Sequence, residues 1–331
     1  MNAPAHHEIR RHIDKAPVVA AVDGSPTAIR AAQWAAVAAR ARHAPLRLVH
    51  VVRRRASVPR GSDVLAEAHR SVVDRWARTS AAPPPDITEL TLCGNPAAAL
   101  IELSAAASEL VVGSVGSGSA AWGLLGSVAT SVASAAHSPL TVVRPLPCAA
   151  AAVGPVLAVV DPASSGAGDA LAAAVRAAYE RATEVVVIEL ARPVVRASPG
   201  NGADVEATIT ELRRHFPTVR ISVLSYFGHA RTALEKFGGT AQLIVVPRDP
   251  RALRPFLHGM ARTALWHTRC AVTVVPPSIT APTGIDRLLG RAHGFGNTQR
   301  DPACQVPDQT VGEFVDAICV RHLPTMPDDQ L

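Results

Sequence analysis

PVVAAVDGSPTAIRAAQWAAVAARARHAPLRLVHVV, residues 17–52, is a strand, a turn, a helix and a second strand written in one line. The β-branched run 17–22 ends in Asp23. An Ala-rich helix is expected over Thr27–Arg42, and LRLVHVV (46–52) reads as the next strand. The unit is written twice. GPVLAVVD (154–161) again ends in an aspartate, a helix is expected over Gly168–Ala182, and EVVVIEL (184–190) follows. Later landmarks repeat in the same order. DITELTLCGNPAAAL (86–100) parallels TVRISVLSYFGHARTAL (218–234), ELVVG (109–113) parallels QLIVVP (242–247), and PLTVVRP (139–145) parallels AVTVVPP (271–277). The offset drifts only from 138 (Asp23 to Asp161) to 132 (Thr141 to Thr273), as one duplication with small insertions and deletions would leave it.

Near-continuous apolar strands that alternate with helical stretches call for parallel strands buried on both faces. The expected fold is therefore α/β: two tandem doubly wound domains, each a five-stranded parallel sheet flanked by helices. Ligands of such sheets bind at the carboxyl ends of the strands, where strand order reverses. Asp23, Val51, Gly94 and Gly113 fall at or near strand ends. The fifth strands are natural edges for pairing between copies or between chains.

Composition narrows the classes. The 331 residues suggest two domains, and 48% apolar residues with only 4% aromatics imply cores of Ala, Val and Leu. The apolar runs are too short for a transmembrane helix, and MNAPAHHEIRRHIDKAP lacks a signal-peptide core. Cys93, Cys148, Cys270, Cys304 and Cys319 are scattered and odd in number, which points to a reducing cytoplasm. The net charge of +6 is carried by dispersed arginines, with lysine only at 15 and 236. Without a clustered basic face, Arg53-Arg54-Arg55 reads as a solvated loop, which argues against a nucleic-acid partner.

The chemistry-bearing run is LVVGSVGSGSAAWGLLGSVATSVASAA (110–136). A strand enters a glycine turn, and Gly126-Ser127 opens a helix. Glycines let backbone N–H groups approach an anion, and a helix start adds positive partial charge. The spacing Gly113-x2-Gly116-x9-Gly126-Ser127, with Asp23 after the first strand, resembles the universal stress protein family in its tandem two-domain form, over roughly residues 15–277. That resemblance implies an adenine nucleotide alpha hydrolase-like fold and ATP, with or without Mg²⁺, across the strand ends. It implies Asp23 at the adenine or ribose, Val51 at the base, and Gly113 and Gly116 closing over ribose and phosphates. Gly126, Ser127 and Val128 would hold phosphate oxygens. It further implies a nucleotide-dependent regulator in the stress response, with an unidentified protein partner, as a homodimer or an intramolecular pseudo-dimer. The alternative is a nucleotide-independent scaffold or chaperone-like binder on the same fold.

Read as structure alone, Asp23-Gly24-Ser25-Pro26 is a turn and helix cap, and Gly94-Asn95-Pro96 a strand-to-helix turn. Ser114–Leu125 carries no Lys or Arg and no Walker lysine, so phosphates would rest on amides, hydroxyls and Mg²⁺, and fast ATP hydrolysis is not expected. No paired acid and base, nucleophile–base pair or metal-ligand cluster stands out. In the second copy Pro247 and Pro250 replace the first two glycines, eight residues separate Pro250 from Gly259, and Met260 replaces the serine. Proline lacks the N–H that a phosphate loop uses, so this copy is expected to be degenerate. The expected layout is a mobile arm at 1–15, a nucleotide-binding universal stress protein domain at 16–146, a degenerate second domain at 153–277 and an extension at 278–331. Within the extension, Val311, Phe314, Val315, Ile318 and Leu323 recur at helical spacing, read either as an amphipathic helix over 310–323 or as a frayed tail.

Overall fold

The computed structural model describes residues 16–53, 58–115, 125–145, 153–162, 164, 166–191, 201–249, 257 and 259–277. The arm at 1–15, the extension at 278–331 with its helix at 310–323, Gly116 and Pro250 lie outside the described residues.

The first half of the chain runs β1 (Val18–Ala21), α1 (Pro26–Ala41), β2 (Leu46–Val52), α2 (Val58–Thr79), β3 (Ile87–Cys93), α3 (Pro96–Ser104), β4 (Glu109–Gly113), α4 (Ser127–Ala135) and β5 (Leu140–Val143). The second half repeats it: β6 (Val156–Val160), α5 (Ala167–Glu180), β7 (Val185–Ala191), α6 (Asn201–His215), β8 (Ile221–Phe227), α7 (Ala230–Phe237), β9 (Leu243–Pro247), α8 (Gly259–His267) and β10 (Ala271–Val275). Within each half the strands are parallel, in the order 3-2-1-4-5 and its counterpart. The halves join edge to edge as one ten-stranded sheet, because β5 pairs antiparallel with β10. Thr141 and Thr273 sit directly opposite each other at that seam, with their hydroxyls 2.7 Å apart.

Helices cover both faces. On one, α1 packs against α2 and α5 against α6, with α1 and α5 side by side; on the other, α3 packs against α4 and α7 against α8. Helix α1 lies close to the sheet because its inward face is small: Ala28, Ala31, Ala32, Ala35, Ala36, Ala38 and Ala39 are buried. The cores are Ala, Val and Leu, as the composition implied. Trp34 packs against the core of both halves.

Two helices were not bounded from the sequence. In α2, Leu65, Ala68 and Val72 are buried at helical spacing, with Trp76 packed on the same core. In α6, Val205, Ile209 and Leu212 do the same.

The seam carries a buried charge knot. Arg42, the C-cap of α1, is ion-paired with Glu109 at the start of β4 and, at 2.6 Å, with Glu180 at the end of α5. Arg181 pairs with Glu180 at 3.3 Å and lies 4.3 Å from the centre of the Trp34 ring. Thr141 donates to Glu109 at 2.5 Å. Burial pushes the Glu109 carboxyl up, but Arg42, the Thr141 hydroxyl and Arg181 outweigh it and hold the carboxyl below the ordinary range. Removing one member of such a buried set leaves an uncompensated charge.

Glu109→Gln should therefore lower the unfolding free energy by about 3–5 kcal/mol, read by chemical denaturation. The sign with pH follows from the depressed folded value. Stabilisation by the Glu109 carboxylate is full above the ordinary carboxyl range and is lost as pH falls through its folded pKa. A stability–pH curve should show that acid limb in the wild type and a flatter one in Glu109→Gln.

Candidate functional site

The strand order reverses between β1 and β4, which are neighbours in the sheet although five elements of chain separate them. That reversal is the place where open α/β sheets open a crevice. Asp23 follows β1 on one side of it, and Gly113 ends β4 on the other.

Asp23 is half-buried and accepts the Ser25 N–H at 3.0 Å through Oδ1, closing a turn that Gly24 permits at φ +82°. Ser25 is the N-cap of α1 and accepts the Ala28 N–H at 3.2 Å, and Pro26 begins the helix. The turn-and-cap reading thus holds for Asp23–Pro26, with capping done by Ser25 and Asp23 set on the turn before it. Asn95 likewise caps α3, accepting from Ala97 at 2.9 Å and Ala98 at 3.2 Å.

Val51 is half-buried on β2, opposite Leu92 of β3 and beyond the last β1–β2 pair, Ala21 with Val49. The neighbouring His50 uses its ring Nδ1–H to donate to the Val22 carbonyl at 2.7 Å, which steadies the strand end that leads to Asp23.

Gly113 has an internal reason to be glycine. A Cβ there would lie 2.8 Å from Thr27 Oγ1 and 2.9 Å from the Ala28 amide nitrogen, so its bareness first serves the close approach of α1. Beyond it, the Ser114 N–H donates to the Val143 carbonyl at 2.9 Å, and the Ser114 carbonyl accepts the Gly126 N–H at 2.7 Å. The latter bond ties the end of β4 to the start of α4. Gly126 is the N-cap of α4 with extended backbone, φ −65° and ψ 153°, and no side chain caps the helix among the described residues. The first turn holds no acidic residue. Ser127 is exposed at the first helical position and Val128 is half-buried behind it. A helix start with neither capping acceptor nor carboxylate leaves its amide hydrogens and positive partial charge available to an anion.

The other end of α4 is held from the second half. Arg248, after β9, donates to the Ala136 carbonyl at 2.7 Å, where a cation suits the helix C-terminus. In return Arg144, after β5, donates to the Leu265 carbonyl of α8. Neither arginine was singled out from the sequence, since neither contact follows the register of the repeat.

At the matching place in the second half, Pro247 ends β9 in register with Val275, as Gly113 does with Val143. The steric relation is exchanged. A Cβ on Gly166, which caps α5, would lie 3.0 Å from Pro247 Cβ. In the first half the strand supplies the bare position, and in the second the helix does. Gly259 opens α8 at φ +61°. Cys93 is a free, exposed thiol, and burial pushes the Cys270 thiol up to about 12. No described helix is long and apolar enough to cross a membrane.

The fold and the glycine-bearing switch point are those of a doubly wound α/β protein, with a helix start beside the reversal that no described side chain caps. Residues 16–144 match the family model described as the Universal stress protein family. The first half of the chain thus carries a domain of that family. It is 39% identical over 129 residues to a universal stress protein of Mycobacterium tuberculosis, covering 38% of this chain and 47% of that one. A second protein of that name and organism is 26% identical over 268 residues, covering 78% of this chain and 95% of that one. The chain spans about half the length of the first curated relatives it matches. Among solved structures, a universal stress protein from Archaeoglobus fulgidus shares the fold across 80% of this chain and 99% of its own, with TM-score 0.59 and 15% identity. A universal stress protein solved in complex with cAMP is 32% identical and covers 38% of this chain and 94% of its own, with TM-score 0.31.

Gly113→Ala should cost about 1–3 kcal/mol of stability, because the new methyl meets backbone atoms of α1 that have no room to yield. The thermal midpoint without ligand checks it.

Proposed function

We propose that the first half binds an adenine nucleotide, ATP with Mg²⁺ foremost, and that its occupancy regulates a protein partner in the stress response. One observation carries the reading: an acceptor carboxylate, Asp23, and a helix start that no described side chain caps, Gly126–Val128, flank the reversal of strand order. Asp23 suits the donors of a ribose or adenine. The amides of Ser127 and Val128, with the Ser127 hydroxyl, suit phosphate oxygens. Val51 and Gly113 border the same end of the sheet. Bound Mg²⁺ would add the positive charge that an amide cradle lacks. The second half, with Pro247 in place of the strand-end glycine, is read as degenerate at this task and kept for support. A cytoplasmic setting accords with the free thiols of Cys93 and Cys270.

Ser127→Pro is the sharp test. Proline is tolerated at the first position of a helix, and Gly126 already has the extended backbone that precedes proline. The change deletes one amide donor and leaves the helix. Calorimetric titration with ATP–Mg²⁺, and with cAMP as a second probe because the relative named above holds it, should show affinity falling about tenfold with the thermal midpoint retained. Unchanged affinity would remove the phosphate assignment.

A nucleotide-independent scaffold is the second reading. The exposed Val223 and Phe227 on the outer strand β8 favour it, since such an edge invites another chain. Wild-type protein that binds neither nucleotide would select it.

A further inference from the structure

We infer that Thr27 is a positioning residue for the nucleotide site, its hydroxyl clamping the Val115 carbonyl so that the α4 start is held against the Asp23 turn. The inference rests on the reading above and deepens it through atoms that touch no ligand.

A hydroxyl in the first turn of a helix ordinarily bonds to its own turn or to water. Thr27 Oγ1 instead donates to the carbonyl of Val115, 88 positions along the chain, at 2.5 Å. Ser25 Oγ stands 3.2 Å from Thr27 Oγ1 and 3.4 Å from the same carbonyl. Ser25 also takes the Ala28 N–H, and its own N–H goes to Asp23. From Asp23 to Val115 there is thus one continuous line of hydrogen bonds across the switch point. The residue before Val115 continues it, since the Ser114 carbonyl accepts the Gly126 N–H at 2.7 Å. Asp23 and the helix start thereby share a single frame.

Burial gives the clamp its weight. Ser25 and Thr27 are 5% and 6% exposed, so water does not replace a lost partner. The bare Gly113 admits the Thr27 hydroxyl to this position, because a Cβ would lie 2.8 Å from it. The clamp also orients charge. With its oxygen committed to α1, the Val115 carbonyl does not turn its negative end on an anion at the α4 start.

Thr27→Val keeps the shape and deletes the hydroxyl, while Thr27→Ser keeps the hydroxyl and deletes the methyl. Thr27→Ala stands in if the valine variant does not fold. On the full chain, titration with ATP–Mg²⁺ and with cAMP should show affinity about tenfold weaker for Thr27→Val and within about threefold of wild type for Thr27→Ser. Amide hydrogen exchange without ligand should quicken at Gly126 in Thr27→Val and not in Thr27→Ser. Equal affinity and equal exchange in all three proteins overturn the inference. So does a serine variant as weak as the valine one, which would make the methyl the cause. Wild-type protein that binds neither nucleotide overturns Thr27's role toward a ligand together with the reading beneath it; the exchange arm then judges the clamp alone.

Discussion

Four buried charges that cancel hold the two halves to one another. Glu109 and Arg42 come from the first half, Glu180 and Arg181 from the second, and all meet behind the Thr141–Thr273 pair. Two arginines and two carboxylates taken out of water are costly to desolvate, and only close pairing offsets it. The arrangement therefore demands that β5 and β10 lie in one register and that α1 and α5 lie side by side. A slip of the antiparallel pair by one residue would separate the threonines and draw Glu180 away from Arg42. Trp34 adds the apolar share, packing against both cores with Arg181 over its ring.

Much of this was readable in the chain. The strand runs, the aspartate after each first strand and the slow drift of the repeat offset lead to two copies of a parallel sheet. The ends of α1 and β2 moved by one residue or none from their expected places, because Ser25 and Pro26 are strong start signals and LRLVHVV has clear limits. Helices α2 and α6 were harder. Their buried apolar residues are spread among charged and polar ones, so the helical period is diluted along the chain. The charge knot was hidden for a different reason. Glu109 stands where the second half has Leu243, and Glu180, the last residue of α5, stands where α1 has Ala41, so the repeat itself masks the pairing.

At the candidate site the sequence located Asp23, Gly113, Gly126 and Ser127 around one end of the sheet. It did not distinguish their reasons. Gly113 is small first because α1 presses on it. The second half meets the same steric demand by moving the bare position from strand to helix, Pro247 against Gly166. The exchange across this contact keeps the packing, while the strand end of the second half lacks an amide hydrogen. A one-residue reading of either copy sees only a lost glycine.

Arg248 draws these threads together. A side chain rooted in the half with the altered strand end closes the tail of α4, the helix whose head faces the crevice. Severed from its neighbour, the leading half would keep its strands in order, yet it would bare an apolar edge, take from Arg42 one of its two carboxylates and leave that helix with a ragged tail. The trailing half thus completes both the sheet edge and the helix end of the leading one.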